Sequence, residues 1–345
     1  MPGSKTWSSK LPVSEVLPEA FKPRVVRGLR LEVNADATSA RVDLSWKALE
    51  FEPEDAGFMQ KLFAIADGSL DQREISQRTG RELGSTIAAL QYLFEEGVVE
   101  SGSSEDLPGV AFCRNLVNRG RRLQDRHSES GAITRIMEGR GHARLLLGFL
   151  VERHHFTSLV ATHLSEAIRS AQSERLRMML TEYLADEYTH GPWLRTGLET
   201  AIPKISLETA SVLPSTAAII GFLAAAARSD LLAYAGCVAS LEQPSELPGV
   251  ADSQIEFWDQ LELLGLVKPE VIRPFRMHEL MDIEQQHNNL AAEIYAEHGQ
   301  VTHEHGRRIQ RTVAEFLYTL REWDRAIIAF YAEPEGEPYF VAELD

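Results

Sequence analysis

The sequence predicts a mainly α-helical protein, a long helical bundle preceded by a small α+β domain. Three observations carry this. Apolar residues recur at three- and four-residue intervals through almost all of residues 130–332, the period of helices that bury one face. Short stretches rich in β-branched and aromatic residues precede residue 101, the pattern of strands. Between the two, "SGSSEDLPG" (101–109) has the turn-forming composition that separates domains.

Residues 1–25 read as a loose arm, because Pro2, Pro12, Pro18 and Pro23 interrupt any regular element. "GLRLEV" and "ARVDLSWKALEFEP" suit strands, and three helical patterns follow: "EDAGFMQKLFAIADG", "DQREISQRTG" and "ELGSTIAALQYLFEEGVVE". Gly68, Gly80 and Gly97 fall where these helices should stop. Strands, three short helices and a "GVVE" wing predict a winged helix-turn-helix over 26–101, and 102–129 reads as a linker. The bundle then occupies 130–332 as six or seven long helices, with breaks at "IPKISLE", "VLPST", "EQPSELPG" and "KPE". Residues 333–345 form a peripheral C-terminal tail.

Composition narrows the function. The chain has 345 residues, 44% of them hydrophobic and 25% charged, which suits a globular protein with a sizeable core. A formal net charge of -16 argues against nucleic acid or an anionic membrane as the main partner. Two cysteines, Cys113 and Cys237, are too few for a disulfide framework or a thiolate metal cage. The N-terminus carries no apolar core of a signal peptide, and the run from Ala217 to Ala227 falls short of the ~20 residues that span a bilayer. The expected location is the cytoplasm. No GxSxG elbow, Walker loop or GxGxxG turn is present.

Chemistry-bearing residues gather in two stretches. In "LADEYTHGPWL" (184–194), Glu187 and His190 stand three apart, about 60° around a helix, so both can point inward. In "MHELMDIEQQHNNL" (277–290), His278 and Asp282 share a face, and Glu284 and His287 form a second Glu-x-x-His pair. His278 and His287 lie about 180° apart on a regular helix, so a distortion must unite them or one set is surface. Glu152 interrupts an apolar face and Glu242 closes an apolar helix, and each fits an ordinary ion pair or helix end as well as a ligand role. His154, His155 and His163 lie on the first long bundle helix, where they can line a cavity. Carboxylate and imidazole donors without sulfur suit iron or manganese in a bundle interior, where open coordination positions admit dioxygen.

"ERHHF", "DEYTHGPWL", "LPSTAAIIGF…LLAYAGCVASLE" and "PFRMHELMDIEQQH", in that order, resemble the heme-oxygenase-like superfamily that includes thiaminase II, pyrroloquinoline-quinone synthase and the non-heme di-iron oxidases. That resemblance implies a heme-oxygenase-like bundle with two ferrous ions and dioxygen as co-substrate. The implied ligands are Glu187, His190, Glu242, His278 and Asp282. The superfamily's spacing puts a final histidine at position 285, which is Gln285, so His287 is taken as the sixth ligand through a local helix distortion. Glu152, His155 and Glu284 form a second tier. A ferritin-like di-iron bundle is the competing fold. The N-terminal domain resembles the module called a RiPP recognition element. A DNA-binding role is its rival, disfavoured because "ELGSTIAALQYLFEEG" has no Lys or Arg for phosphate contacts.

These readings predict a non-heme, metal-dependent, di-iron oxidase or oxygenase of natural-product biosynthesis, acting on a small-molecule or peptide-borne amine or amino-acid substrate. A precursor peptide at the N-terminal domain and a homodimer are compatible partners. Two alternatives stay open: a cofactor-independent oxidase resembling pyrroloquinoline-quinone synthase, and a non-enzymatic winged-helix regulator or scaffold.

Overall fold

The computed structural model describes residues 17–18, 20–34, 36, 39–44, 47–102, 106–128, 131–241, 250–284 and 289–342, the side chains of 47, 125–128 and 250–254 aside. Within it the chain divides into two compact units, Pro12–Arg122 with His298–Arg308, and Leu123–Glu297 with Ile309–Asp345.

The first unit opens with β1 (Pro23–Val25), β2 (Leu31–Val33), β3 (Ala40–Leu44) and β4 (Lys47–Phe51). Strands β2, β3 and β4 form an antiparallel meander. Its central strand alternates strictly: Ala40, Val42 and Leu44 are buried, and Arg41 and Asp43 face out. Three helices follow: α1 (Pro53–Ile65), α2 (Gln72–Thr79) and α3 (Leu83–Glu95). Helix α2 shows why such short helices hold. Asp71 and Glu74 make a reciprocal capping box at its start, and Gly80 takes the left-handed conformation (φ 73°) that ends it. Strand β5 (Val99–Ser101) then returns to pair antiparallel with β1. Leu62, Ile75, Leu90, Phe94 and Val98 form the buried centre of this unit.

Two boundaries differ from the sequence reading. Residues 23–25, expected in a loose arm, form β1, because β5 supplies the hydrogen-bonding partner that local sequence cannot reveal. The expected linker 102–129 holds β6 (Leu107–Pro108) and a helix, α4 (Gly109–Ser128). The turn-rich segment before it hid the helix, although Val110, Ala111, Cys113, Leu116 and Val117 are all buried. β6 pairs with β7 (Gln300–Val301), so the chain returns to this unit late in the sequence.

The second unit is helical: α5 (Ala132–Arg135) running into a π-helical turn (Ile136–Arg140), α6 (Ala143–Ser158), α7 (Val160–Ser170), α8 (Glu174–Glu187), α9 (His190–Leu198) and α10 (Lys204–Thr209). It continues with α11 (Pro214–Ser229), α12 (Leu231–Leu241), α13 (Val250–Leu263), α14 (Pro269–Glu284), α15 (Leu290–His298) and α16 (His303–Phe330), the last two running on across the unit boundary. The helices are shorter and more numerous than the expected six or seven. Periodicity alone carried the reading through breaks that capping enforces. Asp230 shows the cause: its extended backbone (φ -161°, ψ 105°) ends α11, while its carboxylate accepts from Leu232 N and Ala233 N to start α12. Leu146, Leu150, Leu194, Leu198, Trp258, Ile272, Phe275 and Tyr331 belong to the core of this unit. The tail is tied down as well, since Ser211 bridges to Phe340 and the Arg144 guanidinium donates to the carbonyls of Phe330, Glu333 and Glu337. No helix among the described residues is long and apolar enough to cross a membrane.

Candidate metal centre

Glu187 is the last residue of α8 and His190 the first of α9. They therefore straddle a helix junction instead of sharing one continuous helix. The intervening turn still leaves them on one side, with His190 Nδ1 3.2 Å from Glu187 Oε2. Glycines let α9 approach its neighbours closely. A Cβ on Gly191 would collide with Ser158 of α6, and one on Gly197 would lie 2.6 Å from Pro274 Cγ of α14. The close approach brings the His278 ring of α14 against His190, centroids 4.5 Å apart and planes at 72°.

Glu187, His190 and His278 thus converge: one ligand atom from each lies within 4.8 Å of the others, and all three side chains are buried. Asp282, one turn beyond His278, is buried too, its Oδ2 2.9 Å from His278 Nδ1. That approach is not aligned as a hydrogen bond, so neither buried nitrogen of His278 has a hydrogen-bond partner among the described residues. A buried imidazole without such a partner is costly in an ordinary core. A carboxylate and two imidazoles meeting at one point, with a second carboxylate alongside, form a donor set that could hold a metal ion. The residues present fit such an ion.

The cluster borders a cavity of about 120 Å³. Val160, Ile219, Leu223 and Val238 give it apolar walls, and Tyr183, Tyr234 and Trp323 add aromatic ones. His163 also faces it, its Nδ1 2.9 Å from the Tyr234 hydroxyl and its buried Nε2 without a hydrogen-bond partner among the described residues. Burial pushes the His163 pKa down to about 4 against the opposing pull of the Glu187 carboxylate, so the ring is neutral near pH 7. The sequence reading placed His163 among histidines able to line a cavity. It missed Tyr234 and Trp323: Tyr234 sits in a run of small apolar residues, and Trp323 stands between Glu322 and Asp324 in a stretch that reads as a solvated face.

The remaining predicted residues lie as follows. Glu242 and His287 fall outside the described residues. Glu284, the last residue of α14, is exposed and does not join the cluster. Glu152 is fully buried but serves the fold: its carboxylate accepts from Leu213 N (3.2 Å), the Thr216 hydroxyl and the Tyr331 hydroxyl (3.5 Å). Burial holds its carboxyl above the usual range in spite of those donors. His155 packs on His154, ring centroids 5.4 Å apart, and burial lowers its pKa to about 4.

Among solved structures, the chain is similar to a domain of unknown function with a heme oxygenase-like fold from Shewanella denitrificans OS217. The TM-score is 0.53 at 12% sequence identity, covering 63% of this chain and 92% of that one. The bundle has a heme-oxygenase-like fold. A TenA homolog from Pseudomonas syringae pv. tomato str. DC3000 also matches, with a TM-score of 0.47 at 14% identity over 64% of this chain and 93% of that one. No family model and no curated protein in the comparison matches the sequence.

Proposed function

We propose that the protein is a non-heme, iron-dependent oxidase or oxygenase acting on a small amine or amino-acid substrate held in the bundle cavity. The observation that carries this reading is the buried convergence of Glu187, His190 and His278 beside Asp282, at a cavity with apolar walls. Glu187, His190, His278 and Asp282 would hold ferrous iron, and the expectation of a second ion rests on Glu242 and His287. Bound iron would supply reaction with dioxygen, which protein side chains alone do poorly. The chain's own part is positioning and exclusion. Ile219, Leu223 and Val238 keep water from the reacting centre, and neutral His163 with the Tyr234 hydroxyl can hold or pass a proton at the cavity wall.

In the same reading the first unit docks a peptide and not DNA. Helix α3 offers no Lys or Arg, and Glu82 accepts from Gly84 N and Ser85 N at its N-terminus, where a phosphate would otherwise bind. The test of the main proposal is metal analysis after anaerobic ferrous loading of the full chain. Wild type should retain iron through desalting, whereas Glu187→Ala and His278→Ala should lose most of it while keeping a wild-type helical spectrum. Equal iron in wild type and both variants would overturn the proposal. A metal-free oxidase using His163 and Tyr234 as acid–base groups is the second reading, favoured by their 2.9 Å contact, and it predicts full activity in a strong chelator.

A further inference from the structure

Besides the groups around the proposed iron site, two opposite charges line the cavity among the described residues, Arg153 of α6 and Glu279 of α14. Arg153 Nη2 donates to Glu279 Oε2 at 3.1 Å, and the side chains are 33% and 14% exposed. The guanidinium lies 5.5 Å from the centre of the fully buried Trp258 ring, which holds it from behind. Its Nε and Nη1 make no hydrogen bond among the described residues, so one edge of the donor fork remains for a ligand. A partly buried ion pair is a weak source of stability. Placed at the wall of an apolar cavity, it is a polar anchor for something the cavity takes in.

We propose that Arg153 and Glu279 clamp the head group of a free α-amino acid, Arg153 taking the carboxylate and Glu279 the ammonium, with an aliphatic side chain filling the cavity. The inference deepens the reading of this cavity as the substrate site and rests on it. A plain carboxylate would meet Glu279 as a like charge, and a plain amine would meet Arg153 as one. A zwitterion matches both. A residue within a peptide has neither charge, so the clamp selects the free amino acid over the peptide-borne form. Size sets the side chain: an apolar cavity of ~150 Å³ admits a benzene-sized body, so about 120 Å³ suits an aliphatic side chain such as that of leucine.

The test is isothermal titration calorimetry on the full chain, metal-free and after ferrous loading, with four probes: L-leucine, 4-methylpentanoate, 3-methylbutan-1-amine and N-acetyl-L-leucinamide. L-leucine should bind at least tenfold more tightly than each of the others. Arg153→Met should erase its advantage over the amine, and Glu279→Gln its advantage over the carboxylate. A pair that merely fastened α6 to α14 would alter melting without altering these ratios. Equal binding of the four probes to wild type, or no binding of any, overturns the clamp without recourse to a variant. Iron retention without amino-acid selectivity would sink the clamp alone, and amino-acid selectivity without iron retention would sink the metal reading alone.

Discussion

Thr216→Val removes a single hydroxyl and tests how the buried carboxylate of Glu152 is tolerated. The Thr216 hydroxyl donates to Glu152 and accepts from Trp323 Nε1 at 2.7 Å, linking a fully buried charge to the cavity wall. Valine keeps the shape of threonine, so no void opens, but the carboxylate loses one of its three donors and the indole N–H loses its acceptor. A buried group left without its partner costs about 1–3 kcal/mol. Trp323 is half-buried and counts at the low end, so the sum is about 2–4 kcal/mol at pH 8.

The pH dependence separates this cause from a packing defect. Burial raises the folded-state pKa of Glu152, and the Thr216 bond partly offsets that rise. A raised carboxyl makes the folded state the better proton binder, so stability falls as pH climbs from about 4.3, the unfolded value, through the folded one. Removing Thr216 raises the folded value further. The cost of the substitution should therefore be larger at pH 8 than at pH 5, because lowering the pH moves the raised carboxyl toward its protonated form. Urea unfolding of wild type and variant at both pH values measures it. A cost below about 0.5 kcal/mol at pH 8, or the same cost at both pH values, would refute the reasoning.

Two further predictions concern the site helices. Gly197→Ala places a methyl 2.6 Å from Pro274 Cγ and 3.2 Å from the Val271 carbonyl, so α9 must move off α14. The expected result is about 1–3 kcal/mol of lost stability and at least tenfold weaker iron retention, checked by urea unfolding and metal analysis; wild-type retention would show that helix spacing does not set the site. His154 is buried, and burial, the neighbouring His155 and Arg195 lower its pKa to about 4. The folded state thus resists a proton that the unfolded chain binds near pH 6.5, and stability drains away as pH falls between those values, by roughly 2 kcal/mol at pH 4.5. His154→Phe should flatten the stability profile over that window, and an unchanged slope would place the acid sensitivity elsewhere.

What the sequence revealed and what it hid follow from the range of the forces involved. The bundle was legible because a period near 3.6 is written locally in stretches such as "RRIQRTVAEFLYTL", where Ile309, Val313, Phe316 and Leu317 are buried, and β3 because its alternation fits within five residues. Strand β1 was not legible, since three residues containing a proline become a strand only when β5 lies alongside. Helix ends were read too late wherever a single side chain decided them, as Asp230 does. Within the site, Glu187 and His190 were visible as a pair three apart, but the helix break between them was not. Their meeting with His278 depends on Gly197 admitting Pro274, a contact between residues 77 positions apart with no local signature.

Glu152 and His278 show why residue type alone cannot sort a ligand from a structural group. Each is a polar residue in an apolar helix face, and each is buried. Desolvation imposes the same demand on both, a set of partners close to hand. Glu152 meets it entirely within the fold, drawing donors from the backbone ahead of α11, from Thr216 and from Tyr331. Its removal should therefore register as lost stability. His278 meets a different neighbourhood, His190 at ring contact and carboxylates on either side, with no hydrogen bond to either ring nitrogen among the described residues. Burying an imidazole without hydrogen-bonded partners is costly for a fold. Imidazole and carboxylate donors gathered at one buried point are a set that could hold an ion, so on the proposed reading replacing His278 should register first as lost iron retention, where replacing Glu152 registers as lost stability.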